Sequence, residues 1–300
     1  MSQLKIAAAS LLIYITLSGI ACQAEEMPTA KPIALPADMK GTWQVSDVLF
    51  DQADNETVRK GPDIKYSIPR YLGRIIKITS RKITINSPGE TACEDPKLMP
   101  QKSTAAKIVA KSIHTRVFDN AYPTPQDMGL PLADDTPVEV LYLTCGDKFR
   151  SSAPSVDISY DFSYARWFID LGDDRLAMNW RTQSILILRR LQDNAKPVAS
   201  FDCAKAGTIA EKTICSDVGL AAYDKSLAQA YNLVLAYYRS RSDTKSTIAE
   251  LQTFQRKWIA KRDQCGNDIV CMEKAIDDRI FNLVYDLTDF WYDNYDYSVN

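Results

Sequence analysis

From Met39 to about Leu191 the chain is written in short runs whose apolar side chains recur at alternate positions. Gly41 to Val45 (GTWQV) opens the series. Ile75 to Ile85 (IIKITSRKITI), Val138 to Thr144 (VEVLYLT) and Ala165 to Leu171 (ARWFIDL) follow, then Arg175 to Trp180 and Ser184 to Leu191. A period of two with β-branched and aromatic side chains predicts strands, and the last two runs predict a hairpin. Short strands parted by Pro and Gly clusters predict an antiparallel β-barrel or sandwich over residues 39–191. The stretch from Glu94 to Pro137, rich in Pro, Asp and Lys, is expected to include at least one irregular loop, and no strand or helix is assigned within it.

The period changes after the polar segment 192–200 (QDNAKPVAS), where a linker and a domain boundary are expected. Thr208-Ile209-Ala210-Glu211 is a capping box and predicts a short helix running toward Cys215. Leu220, Tyr223, Leu227, Tyr231, Val234 and Tyr238 form one stripe at spacings of three and four, predicting a long helix from Asp217 to about Arg239. Thr247-Ile248-Ala249-Glu250 repeats the capping box, and Leu251, Phe254, Trp258 and Ile259 then share a face. That helix should stop near Cys265-Gly266, where glycine suits a left-handed cap. A last helix starts at Asn267 or Asp268 and turns Cys271, Ala275, Ile280 and Leu283 inward. The fold class is therefore α+β and multidomain, with a β-rich domain followed by a small helical domain at 201–285.

The first residues predict targeting rather than structure. Lys5 precedes an uncharged apolar run, Ile6 to Ala21, and Cys22-Gln23-Ala24 supplies small residues for cleavage, so 1–24 reads as a signal peptide and 25–38 as a flexible leader. A membrane span would need about 20 apolar residues. Gly19-Ile20-Ala21-Cys22 also resembles a lipoprotein signal, with Gly19 where leucine is usual; membrane attachment is expected only if Cys22 is lipidated. The expected place is the periplasm or the exterior of a bacterial cell envelope, where cysteines pair.

Either outcome at Cys22 leaves six of the seven cysteines. Cys93 and Cys145 are alone in the front half and predict one disulfide between themselves. Among Cys203, Cys215, Cys265 and Cys271, pairing of neighbours closes short loops, whereas crossed pairing ties the first helix to the last; the local set is the expectation and the crossed one stays open. A zinc site is the competing use, but these spacings are not CxxC knuckles and the single histidine, His114, is distant. No metal or cofactor is assigned.

Charge narrows the function. The 36 basic and 38 acidic residues leave a net −2, which supplies no general field for nucleic acid. HExxH, phosphate-loop and GxSxG motifs are absent from the sequence, and one histidine leaves little room for a nucleophile and base, so no catalytic residue is assigned and an enzyme is not expected. Trp43, Trp167 and Trp180 read as core residues. Asp224, Gln255, Arg262 and Arg279 sit beside apolar positions of their helices; a shared polar site is one reading, and a buried network joining Asp224 to an arginine and fixing helix register is the preferred one. The tail 286–300 interleaves Asp286, Asp289, Asp293 and Asp296 with Phe290, Trp291, Tyr292, Tyr295 and Tyr297 and carries no basic residue. Trp291, Tyr292, Asp293 and Tyr295 are therefore candidate contacts to a cationic partner, against the plainer reading that these aromatics continue the last helix or pack on the β-domain.

The same helical residues carry a resemblance. Phe201-Asp202-Cys203, Glu211-Lys212-x-Ile214-Cys215, Leu220-x-x-Tyr223-Asp224-x-x-Leu227-x-x-x-Tyr231, Gln255-x-x-Trp258-x-x-x-Arg262-Asp263-x-Cys265, Cys271 and Arg279-Ile280-x-x-Leu283 resemble the LprI-type lysozyme inhibitor domain, also catalogued as a domain of unknown function. Tyr223 stands where that family usually has leucine. The resemblance implies an exported or lipoprotein-borne helical module that binds protein, with a lysozyme or another cationic envelope-directed hydrolase as partner. Gly41-x-Trp43 and the late Arg189-Arg190 resemble the lipocalin-type barrel, in which an early tryptophan packs under a late arginine. The expected function is an exported binding protein acting by protein–protein contact. The alternative is a periplasmic small-ligand-binding β-barrel with a helical accessory domain.

Overall fold

The computed structural model describes residues 31–51, 71–86, 92–113, 122–146, 167–180 and 184–293, with side chains as far as Leu283. Among the described residues the front half forms one antiparallel sheet of ten strands: β1 (Ile33–Ala34), β2 (Gly41–Leu49), β3 (Ile75–Ile78), β4 (Lys82–Ile85), β5 (Cys93–Glu94), β6 (Pro96–Thr104), β7 (Pro137–Cys145), β8 (Trp167–Gly172), β9 (Arg175–Trp180) and β10 (Ser184–Arg190). Hydrogen-bonded neighbours follow the order β1-β6-β7-β8-β9-β10-β2-β3-β4-β5. That order is open, so the architecture is a curled sheet rather than a closed barrel or a two-sheet sandwich. Its curl is strong: edge strand β5 is bound to β7 by the Cys93–Cys145 disulfide and runs into β6 through one residue, Asp95.

Alternation along the strands sorts the side chains to two faces. Trp43, Ile76, Ile83, Leu98, Phe168, Met178, Trp180, Leu186 and Leu188 share one core. Because both ends of the sheet contribute to it, this is the face the curl encloses. On the other face Val140, Trp167, Ile169, Ala177, Ile185 and Ile187 pack with Ala105, Ile108 and Val109 of α1 (Ala105–Ser112), and Trp167 Nε1 donates to Ser112 Oγ at 2.7 Å. The Trp43 and Arg190 contact implied by the lipocalin resemblance is present: the guanidinium lies 4.2 Å from the indole ring. Arg190 also bonds the carbonyls of Asp38 and Lys40.

Two expectations for the front half change. The run Ile75–Ile85 is a hairpin, β3 and β4, because Thr79 Oγ1 accepts from the Arg81 and Lys82 amides and donates to the Lys82 carbonyl, turning the chain in mid-alternation. The segment after Glu94 contains a full strand, β6, paired with β7 from Pro96 to Thr104, followed by α1. Pro96 and Pro100 break the alternation that marks a strand, yet each lacks only one donor and both fit the ladder.

The helical part comprises α2 (Ile209–Ile214), α3 (Val218–Arg239), α4 (Lys245–Arg262) and α5 (Ile269–Asp293). Both arms of the capping box at Thr208 and Glu211 are made. The second capping box is not: α4 begins at Lys245, and Thr244 Oγ1 instead donates to the Tyr238 carbonyl at 2.5 Å, so the helix starts before Thr247 can cap it. Gly266 takes φ 59 after a 3₁₀ turn, and Asp268 Oδ1 accepts from the Cys271 amide at 3.0 Å to open α5.

Leu220, Leu227 and Val234 of α3 pack on Met272, Ile276, Ile280 and Leu283 of α5. The inward stripe of α5 is therefore offset from the expected one: Cys271 is exposed and Ala275 half-buried, because the helix is rotated to bring Met272 and Ile276 to the seam. On α4 only Leu251 and Arg262 are buried, while Phe254 is 58% and Ile259 38% exposed; these two flank the contact line instead of lying on it.

Candidate functional site

Six cysteines form three disulfides: Cys93–Cys145, Cys203–Cys215 and Cys265–Cys271. The last two staple the helical part, one holding the chain that enters α2 and the other closing the α4–α5 hairpin. The four polar residues singled out on the helices fall into two pairs. Asp224 Oδ2 accepts from the Ser200 amide at 2.8 Å and its hydroxyl at 2.6 Å, while Oδ1 faces Arg262 at 3.9 Å. Arg262 makes its tighter bond, 2.6 Å, to Asp263. Gln255 Oε1 accepts from Arg279 Nε at 3.0 Å, which couples α4 to α5. Asp224, Arg262 and Arg279 are buried and line neither of the clefts described below.

The polar cluster that sequence reasoning missed lies where the sheet meets the helices. Arg74, just ahead of β3, is fully buried. Its Nη2 is 2.9 Å from Asp277 Oδ1 on α5, its Nη1 donates to the Asn86 carbonyl at 2.6 Å, and its guanidinium lies 3.0 Å from the centre of the Tyr223 ring on α3. The Tyr223 hydroxyl donates to Asp277 Oδ1 as well. Beside them Asn86 Nδ2 donates to Glu273 Oε1 at 3.3 Å, and Ser226 Oγ donates to the Leu72 carbonyl.

Close backbone approach makes room for these bonds. Gly73 has φ +81, and a Cβ there would stand 2.9 Å from the Ala222 carbonyl oxygen; one on Gly219 would stand 2.8 Å from Asn86 Nδ2. Burial raises the Glu273 carboxyl above its ordinary value, Arg74 and the Asn86 bond oppose the rise, and Asp217 adds to it. Two clefts flank the joint. One of about 640 Å³ is bounded by Gln44, Gly73, Ala222, Lys225 and Gln229, and one of about 440 Å³ by Lys77, Asn86, Asp217, Gly219 and Glu273.

Little in the sequence announces this cluster. Arg74 and Asp277 stand 203 positions apart, and the one local sign is an acidic residue, Asp277, wedged between the inward Ile276 and Ile280. The backbone of α5 continues through Trp291, Tyr292 and Asp293, whose side chains lie outside the described residues, as do Tyr295, His114, Cys22 and the leader 1–24.

Taken together, the fold is that of a two-part α+β protein, a curled sheet carrying a disulfide-stapled helical module. The module matches the family Lysozyme inhibitor LprI across residues 202–283. Similar curated proteins include Lipoprotein LprI of Mycobacterium bovis and of Mycobacterium tuberculosis, each 33% identical over 87 residues. That alignment takes in 28% of this chain and 40% of the relative's length. No solved structure is significantly similar to the chain.

Proposed function

We propose that the chain is an exported, non-enzymatic binding protein whose helical module blocks a lysozyme, or another cationic envelope-directed hydrolase, by protein–protein contact. The observation that carries this reading is the family match over the whole stapled module. The leader pattern of residues 1–24 and three disulfides support an oxidising, envelope-side location, with Cys22 as the one route to a lipid anchor. The alternative of a small-ligand-binding sheet is disfavoured by Trp43, Phe168 and Trp180, which fill the enclosed face.

A turbidity assay tests the reading. The mature protein is mixed with several lysozymes and a peptidoglycan suspension, and clearing should slow at a 1:1 ratio and recover once the inhibitor is reduced. Clearing at the uninhibited rate with every lysozyme would reject it. Truncation after Asp293 leaves α5 whole and removes Tyr295 with the other residues of 294–300, keeping Trp291, Tyr292 and Asp293. Weaker inhibition by that variant would assign the tail a share of the contact.

A further inference from the structure

The ring and the carboxylate that meet the Arg74 guanidinium belong to the helical module, while the Asn86 carbonyl that accepts from its Nη1 comes from the sheet side. Tyr223 comes from α3 and Asp277 and Glu273 from α5, whereas Arg74 reaches in from the sheet. A buried carboxylate beside an aromatic face is the arrangement that recognises guanidinium: the charge is met at the edge by a charge-assisted hydrogen bond and at the face by the ring quadrupole. We propose that Tyr223 and Asp277 form an arginine-binding pocket of the helical module, filled from within by Arg74 and available to an arginine of a cationic partner when the joint parts.

The surroundings allow the joint to part as a unit. The core of the sheet and that of the helical module have no residue in common. Clefts flank the contact on both sides, and between them it includes the polar bonds described above and two close backbone approaches, Gly73 to Ala222 and Gly219 to Asn86 and Ile75. The connection from Leu191 to Asp202 contains no helix or strand. A guanidinium keeps its charge at any accessible pH, so a withdrawn Arg74 goes to water as a cation and leaves a carboxylate and a ring ready for another. The partner's identity as a lysozyme-like hydrolase rests on the function proposed above; the pocket's chemistry does not.

The test uses the full chain. In Arg74→Ala, ethylguanidinium at millimolar concentration should raise the melting temperature saturably. Ethylammonium at the same ionic strength should not, and the rise should vanish in Arg74→Ala/Asp277→Asn. Arg74→Met, which keeps the stem, serves if the alanine variant does not fold. Equal effects of the two cations, or a rise that survives loss of Asp277, would overturn the pocket. A second arm measures affinity for a basic lysozyme. Freed of its internal occupant, the Arg74→Ala chain should bind roughly tenfold more tightly than the natural one. Unchanged affinity alongside a positive probe result overturns the partner half of the proposal, and no lysozyme binding by either chain overturns the proposed function while leaving the pocket standing.

Discussion

Gly73 concentrates two demands in one residue, a positive φ and a backbone approach to Ala222. Gly146 has a similar φ of +62 but nothing within 4 Å of its absent Cβ. Gly146→Ala should therefore cost only the left-handed conformation, about 1 kcal/mol, and Gly73→Ala roughly 2–4 kcal/mol, with the excess coming from the clash. Urea denaturation of the two variants measures the difference. Glu273 gives the pH counterpart. A carboxyl whose folded pKa is raised costs stability above that pKa, and the cost fades as pH falls through the folded value to below the unfolded one. Glu273→Gln keeps an acceptor for Asn86 without the charge, so it should melt higher than the natural chain at pH 7, with the gap closing by about pH 4. Neither residue was legible in the sequence. A glycine before an arginine, or a glutamate on a helix, carries no mark of what will fold against it from the other half.

Among the long helices, α4 is the one held least by its own burial. Two of its residues are buried, and its other attachments include Trp258 Nε1 to the Ala275 carbonyl at 3.2 Å, the Gln255–Arg279 bond, Arg262 facing Asp224 at 3.9 Å and the Cys265–Cys271 staple at its end. Hydrogen exchange should find α4 amides the fastest of the long helices and α3 amides among the slowest, since local opening follows buried contact. Protection of α4 equal to that of α3 would contradict this. Most elements could be read from period and capping: strands β2, β7, β8, β9 and β10, α2 from Thr208 and Glu211, and the stripe of α3. What could not be read was rotation. Phe254 and Ile259 fit a helical face on paper, yet only the middle of that face meets a neighbour, and Met272 rather than Cys271 takes the seam. Strand β6 was obscured by prolines whose tolerance depends on where the partner's carbonyls fall.

Across the whole molecule the two halves were legible and their contact was not, because it joins residues 203 positions apart through a buried charge. An arginine with 0% side-chain exposure cannot be left without its counter-charge cheaply. Asp277→Asn should cost about 3–5 kcal/mol and split a single calorimetric unfolding peak into two, one for each core. A single peak in the variant would show that other contacts suffice to couple the halves.

The Cys93–Cys145 clasp also makes the chain mechanically shorter than its residue count. Tension applied at the two ends of the polypeptide passes through the sulfur bridge, so the strand, helix and return strand held between these cysteines bear no load. A separation of 52 residues at about 3.5 Å each hides on the order of 180 Å of contour length. Stretched in optical tweezers, the oxidised protein should come to full extension short by that amount relative to a Cys93→Ala/Cys145→Ala variant that keeps the other two disulfides.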